Sequence, residues 1–233
     1  MKEMTDALLA GLPQLGLDIE DATAQKLCQF GAAVVEQNKV MNLTAITEPG
    51  AVARLHLLDS LSVLKAIDLS GKRVIDVGCG AGFPGVPLKI ACPAMELTLL
   101  DSLGKRMTWL ETVLPTLGVE ANCITARAEE AVATRRESYD VATSRAVARL
   151  NILLELTAPY VKVGGYVAAM KGTAAKEELA EAKSAITKLG LQLERVLEFP
   201  MEDTCHSVIL LKKVAKTPPQ YPRAYAKIKK SPL

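Results

Sequence analysis

The apolar positions of this 233-residue chain change their spacing near residue 70. Up to that point they recur at helical intervals. From Asp18 to Glu36, the residues Ile19, Ala22, Leu27, Phe30 and Val34 are separated by polar ones so that they wind onto one side of a helix. Asn42-Leu43-Thr44 and Glu48-Pro49-Gly50 interrupt the pattern. It resumes from Ala51 to Ile67, with Leu55, Leu58 and Leu61 or Ser62 on one side. The first 70 residues therefore read as helices, too few to hold an independent core and suited to a cap packed on the remainder of the chain.

From Arg73 onward, short apolar runs alternate with helical ones, the pattern of crossover units feeding a parallel sheet. Strands are predicted at Arg73–Val77, Glu96–Leu100, Asn122–Thr125, Tyr139–Thr143, Tyr166–Met170, Glu194–Phe199 and Ser207–Leu211. Helices are predicted to begin near Gly85 and Lys105, with a short one near Glu129, and then at Val147–Tyr160 and Ala174–Leu189. Seven strands so arranged make a doubly wound, mostly parallel α/β sheet. Only Pro200 to His206 separates the last two strands, too short for a helical crossover, so they are predicted to form a hairpin with one strand antiparallel. The expected organisation is a helical cap over residues 1–70, a core over 71–213 and a basic arm over 214–233, all in one structural domain.

Composition sharpens this picture in two places. With 49% apolar and 23% charged residues the chain has the make-up of an ordinary globular protein, and no apolar run approaches the 18 residues of a membrane span. The formal net charge of +2 hides an asymmetry. Lys212, Lys213, Lys216, Arg223, Lys227, Lys229 and Lys230 occur without an acidic residue, leaving about −5 for the first 211 residues. Such a tail suits a phosphate backbone, with Arg223, Lys227, Lys229 and Lys230 as the candidate contacts, and it equally suits a solubilising tail. The five cysteines are scattered, and with two histidines they offer no zinc-type cluster, so no metal is expected. Reduced thiols and a mixed-charge start without the form of a secretory signal point to a cytoplasmic protein.

The densest chemical signal lies at Val74-Ile75-Asp76-Val77-Gly78-Cys79-Gly80-Ala81-Gly82-Phe83-Pro84-Gly85. It follows the first predicted strand, where open α/β sheets bind ligands. A dinucleotide fingerprint would place its third glycine at position 83, which is Phe. A pyrophosphate therefore fits less well than S-adenosylmethionine, a nucleoside amino acid without phosphate; a tight structural turn is the plainer alternative. Asp101 ends the second strand 19 residues after Gly82, where a carboxylate can accept from both ribose hydroxyls. That position supports a nucleoside without choosing between NAD and S-adenosylmethionine. Ala128 and Glu129, past the third strand, can border an adenine, although Glu129 and Glu130 also suit the start of a helix. Arg145 and Lys171 end the fourth and fifth strands as cations at the same mouth. A buried arginine needs a carboxylate, phosphate or purine edge, or a partner from the protein itself. His56 and Asp59, three apart on one helical face, either border the substrate or pin the cap to the sheet. Cys79 reads as a small filler.

Taken together, Met41-Asn42-Leu43-Thr44, Arg54-Leu55-His56-Leu57-Leu58-Asp59-Ser60-Leu61, the glycine loop through Gly85-Val86-Pro87-Leu88, Gly104-Lys105-Arg106, Arg127-Ala128-Glu129, Thr143-Ser144-Arg145-Ala146, Gly164-Gly165 and Met170-Lys171-Gly172 carry a resemblance. The chain resembles the bacterial 16S ribosomal RNA guanine-N7 methyltransferases of the small subunit, the glucose-inhibited division protein B family. The resemblance runs from about residue 35 to 172 and more weakly to the end. It implies a class I methyltransferase fold, S-adenosylmethionine as donor, and one guanine near the decoding region of 16S ribosomal RNA as acceptor. It further implies a monomer acting on RNA, free or within a 30S particle, and a cofactor site containing Gly78, Phe83, Ala128, Glu129 and Arg145. The tail departs from the family: Tyr221-Pro222-Arg223-Ala224-Tyr225-Ala226-Lys227 has alanine and tyrosine around the expected glycine. Members often lack Asp at the position of Asp101, so its ribose role rests on its place at a strand end.

Guanine N7 has an in-plane lone pair and no proton, so its methylation calls for alignment more than for a base. Arg145, Lys171, His56 and Asp59 are accordingly candidates for positioning substrate, and Gly78, Gly80, Gly82, Phe83, Asp101, Ala128, Glu129 and Arg145 for holding cofactor. Two other classes share parts of this pattern. A small-molecule methyltransferase would have a closed apolar acceptor pocket, and a non-catalytic RNA-binding protein would fail to bind the donor.

Overall fold

The computed structural model describes residues 1–201 and 204–233. The chain begins with α1 (Lys2–Leu15), α2 (Asp21–Asn38) and α3 (Pro49–Val52). In α1, Met4, Leu8, Leu12 and Leu15 recur at helical spacing and are all buried, and Gly16 closes the helix in the left-handed conformation. The helix predicted at Ala51–Ile67 is broken. A π-helical turn, Ala53–Leu58, follows α3 and leads to α4 (Asp59–Leu61) and α5 (Val63–Ala66). Ser60 donates to the His56 carbonyl and Ser62 to the Asp59 carbonyl, each at 2.6 Å, so hydroxyls compete for acceptors that a regular helix would pair with amides. Such turns occur often where side chains must be re-aimed. This one carries His56.

The remaining elements are β1 (Arg73–Val77), α6 (Gly85–Ala91), β2 (Glu96–Asp101), α7 (Gly104–Thr116), β3 (Asn122–Thr125), α8 (Ala128–Ala131), β4 (Tyr139–Arg145), α9 (Leu150–Thr157), β5 (Val161–Lys171), α10 (Ala175–Glu181), α11 (Lys183–Lys188), β6 (Leu191–Met201), β7 (Thr204–Lys213) and α12 (Tyr225–Lys230). The strands form one sheet in the order β3-β2-β1-β4-β5-β7-β6. All neighbours are parallel except β7, which lies antiparallel between β5 and β6. All seven predicted strands are present, and the predicted hairpin is β6–β7. Its strands run further than expected, into the 200–206 connection, of which Glu202 and Asp203 lie outside the described residues. Strand order reverses between β1 and β4, which makes the crevice there the place for a ligand.

Each face of the sheet is covered. Val74 in β1 belongs to one buried cluster with Met4, Leu8, Phe30, Val34, Phe83 and Leu99, so the cap helices share a continuous core with one face. Ile75 and Val77 point the other way, into a cluster with Leu150, Leu153, Leu154 and Leu189 from the crossover helices. The segment after β7 does not hang free. Ile228 in α12 is fully buried, and Arg223 forms a bidentate pair with the fully buried Glu155 in α9, at 2.8 and 2.6 Å. Among the described residues no helix is long and apolar enough to cross a membrane.

Candidate functional site

A cavity of about 1240 Å³ opens at the carboxyl ends of β1, β2, β4 and β5. Its lining includes Gly78 to Ala81, Leu100 to Leu103 and Ala126 to Glu129 around the ends of β1, β2 and β3, together with Ala146 to Ala148, Lys171, Gly172, Glu178, His206 and Tyr225. The volume exceeds the roughly 300–1,000 Å³ usual for a single small ligand. Two reactants can be held side by side.

The glycine loop is built by hydrogen bonds from the strand beside it. Gly78 N–H donates to the Leu100 carbonyl at 2.7 Å, and Gly80 N–H to Asp101 Oδ2 at 2.9 Å. The other Asp101 oxygen accepts from Leu103 N–H at 2.9 Å, which leaves each oxygen further acceptor capacity toward the cavity. Gly78 has φ +73°, and a Cβ there would stand 2.4 Å from Val147 Cγ2. Gly80, at φ +56°, would send its Cβ into open cavity, with only the Arg106 guanidinium within 4 Å. Gly82 departs from the expected role in binding. It faces inward, and its Cβ would meet Val86, Leu110 and Phe30, so it serves the packing of α6, α7 and α2. Cys79 is buried, and its thiol is pushed well up by that burial, in keeping with a filler.

Phe83 lies beneath the mouth, almost wholly buried, its ring stacked on the His56 imidazole at 4.7 Å and tilted against Phe30 at 5.2 Å. The Arg145 guanidinium sits 5.1 Å from the same ring centroid. Arg145 has its partner within the protein. It donates to Asp59 Oδ2 at 2.8 Å, to the Leu55 carbonyl at 3.0 Å and toward His56 Nδ1 at 3.1 Å. His56 Nδ1 also lies 3.1 Å from the Leu55 carbonyl, and Nε2 is 2.7 Å from the Thr44 hydroxyl, so the neutral imidazole is engaged at both ring nitrogens. The second Asp59 oxygen accepts from His206 Nδ1 at 2.8 Å. Burial pushes the Asp59 carboxyl up, but His206 and Arg145 together hold it below the usual carboxylate value. These contacts tie the cap to β4 and β7 across the cavity wall.

The two expected cations at the mouth are thus both engaged. Lys171 is 9% exposed, pairs with Glu178 in α10 at 2.8 Å and donates to the Ala148 carbonyl, so it is not presented to a polyanion. Arg223 is likewise withdrawn from the expected RNA contacts by Glu155, whereas Lys227, Lys229 and Lys230 are exposed. Ala128 and Glu129 line the cavity as the first turn of α8. His206, Glu178, Thr44 and Tyr225 were not singled out from the sequence. His206 lies 147 residues from Asp59, and only the fold of β7 beside β5 brings them together.

Asp76, at the end of β1, is fully buried; Gly85 N–H donates to Oδ2 at 2.8 Å, and Oδ1 has no hydrogen-bond partner. Burial pushes its carboxyl up to about 7, against the Gly85 bond and the Arg145 charge. Burial, helped by Arg145, pushes His56 down to about 4. The two act on stability with opposite sign. Between pH 6.5 and 4 the unfolded chain protonates His56 first, so stability falls as pH falls. Over much of the same window folded Asp76 holds a proton that the unfolded chain lacks, so stability rises. Their slopes largely cancel. In Asp76→Asn the His56 slope should stand alone, with stability declining by about 1.4 kcal/mol per pH unit from pH 6.5 to 4. Denaturant titrations across that range check this, and a curve as flat as that of the unsubstituted protein refutes the assignment.

Comparison with known proteins places this geometry. The family model for rRNA small subunit methyltransferase G matches residues 23–206. A protein of Alkaliphilus metalliredigens named ribosomal RNA small subunit methyltransferase G is 44% identical over 229 residues, spanning 96% of both chains. Among solved structures, M. jannaschii TYW2 in complex with AdoMet superposes with a TM-score of 0.54 at 13% identity, over 78% of this chain and 77% of that one. TrmN from Thermus thermophilus gives 0.54 at 18% identity, over 67% of this chain and 48% of that one. At such identities the last two speak for the fold alone.

Proposed function

The chain belongs to the rRNA small subunit methyltransferase G family, and from that premise we propose that it transfers a methyl group from S-adenosylmethionine to N7 of one guanine in 16S ribosomal RNA, acting as a monomer on the RNA or on a 30S particle. The observation that carries the donor is the glycine-lined part of the cavity. Gly80 leaves space there that a Cβ would fill, Asp101 offers acceptor capacity for ribose hydroxyls, and Ala128 and Glu129 border the place for a purine. No phosphate-binding fingerprint is present, in keeping with a nucleoside without pyrophosphate. S-adenosylmethionine supplies an electrophilic methyl carbon when bound.

The chain's own residues then have one task, to hold the acceptor in line and keep water out. Guanine N7 needs no deprotonation, and the site is poor in bases to perform one. His56 is neutral and engaged at both ring nitrogens, Nδ1 by Arg145 and the Leu55 carbonyl and Nε2 by Thr44, while Asp59 is committed to Arg145 and His206. The Asp59–Arg145–His56 network fixes the cavity wall and the π-helical turn. Lys171 and Glu178 line the cavity as a neutral pair. Exposed Lys227, Lys229 and Lys230 are suited to phosphates of the RNA around the target.

Radiolabelled S-adenosylmethionine incubated with the protein and 30S particles from cells lacking this gene tests the reading. Label is expected on N7 of a single 16S guanine. Label confined to small metabolites would favour the small-molecule alternative, and label at another base atom would overturn the N7 assignment.

A further inference from the structure

Two aromatic side chains other than histidine line the cavity among the described residues, Phe83 and Tyr225, and they differ in what their rings already touch. Phe83 is 5% exposed and packed among His56, Phe30 and Arg145, which leaves little face for a ligand. Tyr225 is half-buried, and among the described residues its hydroxyl makes no hydrogen bond and its ring no aromatic or cation–π contact. It lines the same cavity as Ala148, Leu156, Gly172 and the Lys171–Glu178 pair, on a helix that packs against α9.

The ring is held there by anchors on both sides. Two residues before it, Arg223 donates three bonds to the buried Glu155, from its backbone N–H, Nε and Nη2, at 2.9, 2.8 and 2.6 Å. Three residues after it, Ile228 is fully buried. An aromatic side chain on so fixed a backbone loses little freedom when it meets a ligand. Lys227, Lys229 and Lys230, exposed on the same short helix, place cations beside it.

We propose that Tyr225 is a positioning residue for the acceptor: its ring stacks on the guanine presented for methylation. This rests on the RNA reading above and adds to it the face on which the base is received. A base taken out of its RNA context gives up stacking with its neighbours, and an unengaged aromatic face at the entry replaces part of it. The neutral Lys171–Glu178 pair beneath avoids adding a net positive charge where the methylated purine becomes cationic. Most of the stacking is present before transfer, so it acts chiefly on binding of the acceptor.

Steady-state methylation of 30S particles, with donor affinity measured separately by calorimetry, tests the proposal. Tyr225→Ala is expected to raise KM for the particle by about ten- to one hundredfold, with kcat and the donor dissociation constant unchanged. Tyr225→Phe and Tyr225→Trp are expected to keep the wild-type KM. An unaltered KM in Tyr225→Ala overturns the stacking role, as does a Tyr225→Phe variant as impaired as Tyr225→Ala, which would assign the effect to the hydroxyl. A loss of donor affinity or of the folded state in Tyr225→Ala also overturns it in favour of a structural role. Wild-type protein that methylates no guanine overturns the underlying reading together with this one, whereas active wild type beside an unimpaired Tyr225→Ala overturns the stacking alone.

Discussion

Gly78→Leu is expected to abolish binding of S-adenosylmethionine, raising its dissociation constant by more than about a hundredfold, at a smaller loss of stability from about 1–3 kcal/mol of backbone strain. Two independent features of the position lead to this. The residue has φ +73°, which an L side chain seldom adopts, and its Cβ would overlap Val147 Cγ2 at 2.4 Å. Val147 lies in the loop after β4, next to Ala146, which itself has φ +56°. Relief of the overlap therefore moves the loop that follows Arg145 or unwinds the turn that aims Gly78 and Gly80. Either way the cavity narrows from both walls. The neighbouring glycines give the contrast. Gly80→Ala should cost about 1–2 kcal/mol of strain at φ +56° yet leave the core packing intact and hinder the ligand directly, because its Cβ enters open cavity. Gly82→Ala should lower stability with a smaller effect on binding, because its Cβ points into the core against Phe30 and Leu110. Calorimetric titration of the three variants checks the order, and unchanged affinity in Gly78→Leu would place the donor elsewhere.

That three glycines in one loop serve three different purposes could not be read from their spacing. The spacing announces a turn at the end of β1 and, through Phe83, argues against a dinucleotide. Which glycine faces ligand and which faces core depends on α2 and α7, whose side chains come from distant parts of the chain. The central strands were legible because each is a short apolar run between polar breaks, the form taken by strands of a parallel sheet covered on both faces. The helix from Ala51 to Ile67 was legible as helical but not as broken, since the cause is the hydroxyls of Ser60 and Ser62 turned back on carbonyls. The terminal helix was hidden by its composition. Lysines dominate it, and only Ile228 reports a buried side. For Arg145, sequence reasoning left open a ligand or a partner from the protein; for His56 and Asp59, it left open substrate or scaffold. The structure joins the three in one network, while the network also forms the wall of the cavity. Lys171 and Arg223 were read as free cations because their partners, Glu178 and Glu155, belong to helices whose inward faces are set only by packing.

Asp59→Ala is expected to destabilise the protein by about 3–5 kcal/mol, because it removes one member of a buried ion pair and leaves the other behind. The Asp59 side chain is 4% exposed, and it receives Arg145 at 2.8 Å on one oxygen and His206 at 2.8 Å on the other. Without it, the Arg145 guanidinium, 16% exposed, keeps the Leu55 carbonyl as acceptor beside the neutral His56 ring. For a chain of this length the loss corresponds to a melting midpoint lower by roughly 6–20 °C. A paired substitution separates the charge from the shape. Asp59→Leu with Arg145→Met removes both charges and keeps the wall apolar against Phe83, so most of the stability should return, since buried pairs exchanged for packed apolar groups are often neutral or better. Activity should not return with it. The π-helical turn that carries His56 would have lost its tie to β4, and His206 its acceptor. Denaturant unfolding of the two single variants and the double variant measures the coupling directly. A double variant as unstable as Asp59→Ala would mean that the network matters through its shape and not through the buried charge, whereas a stable double variant with full methylation would remove the network from the positioning of either reactant.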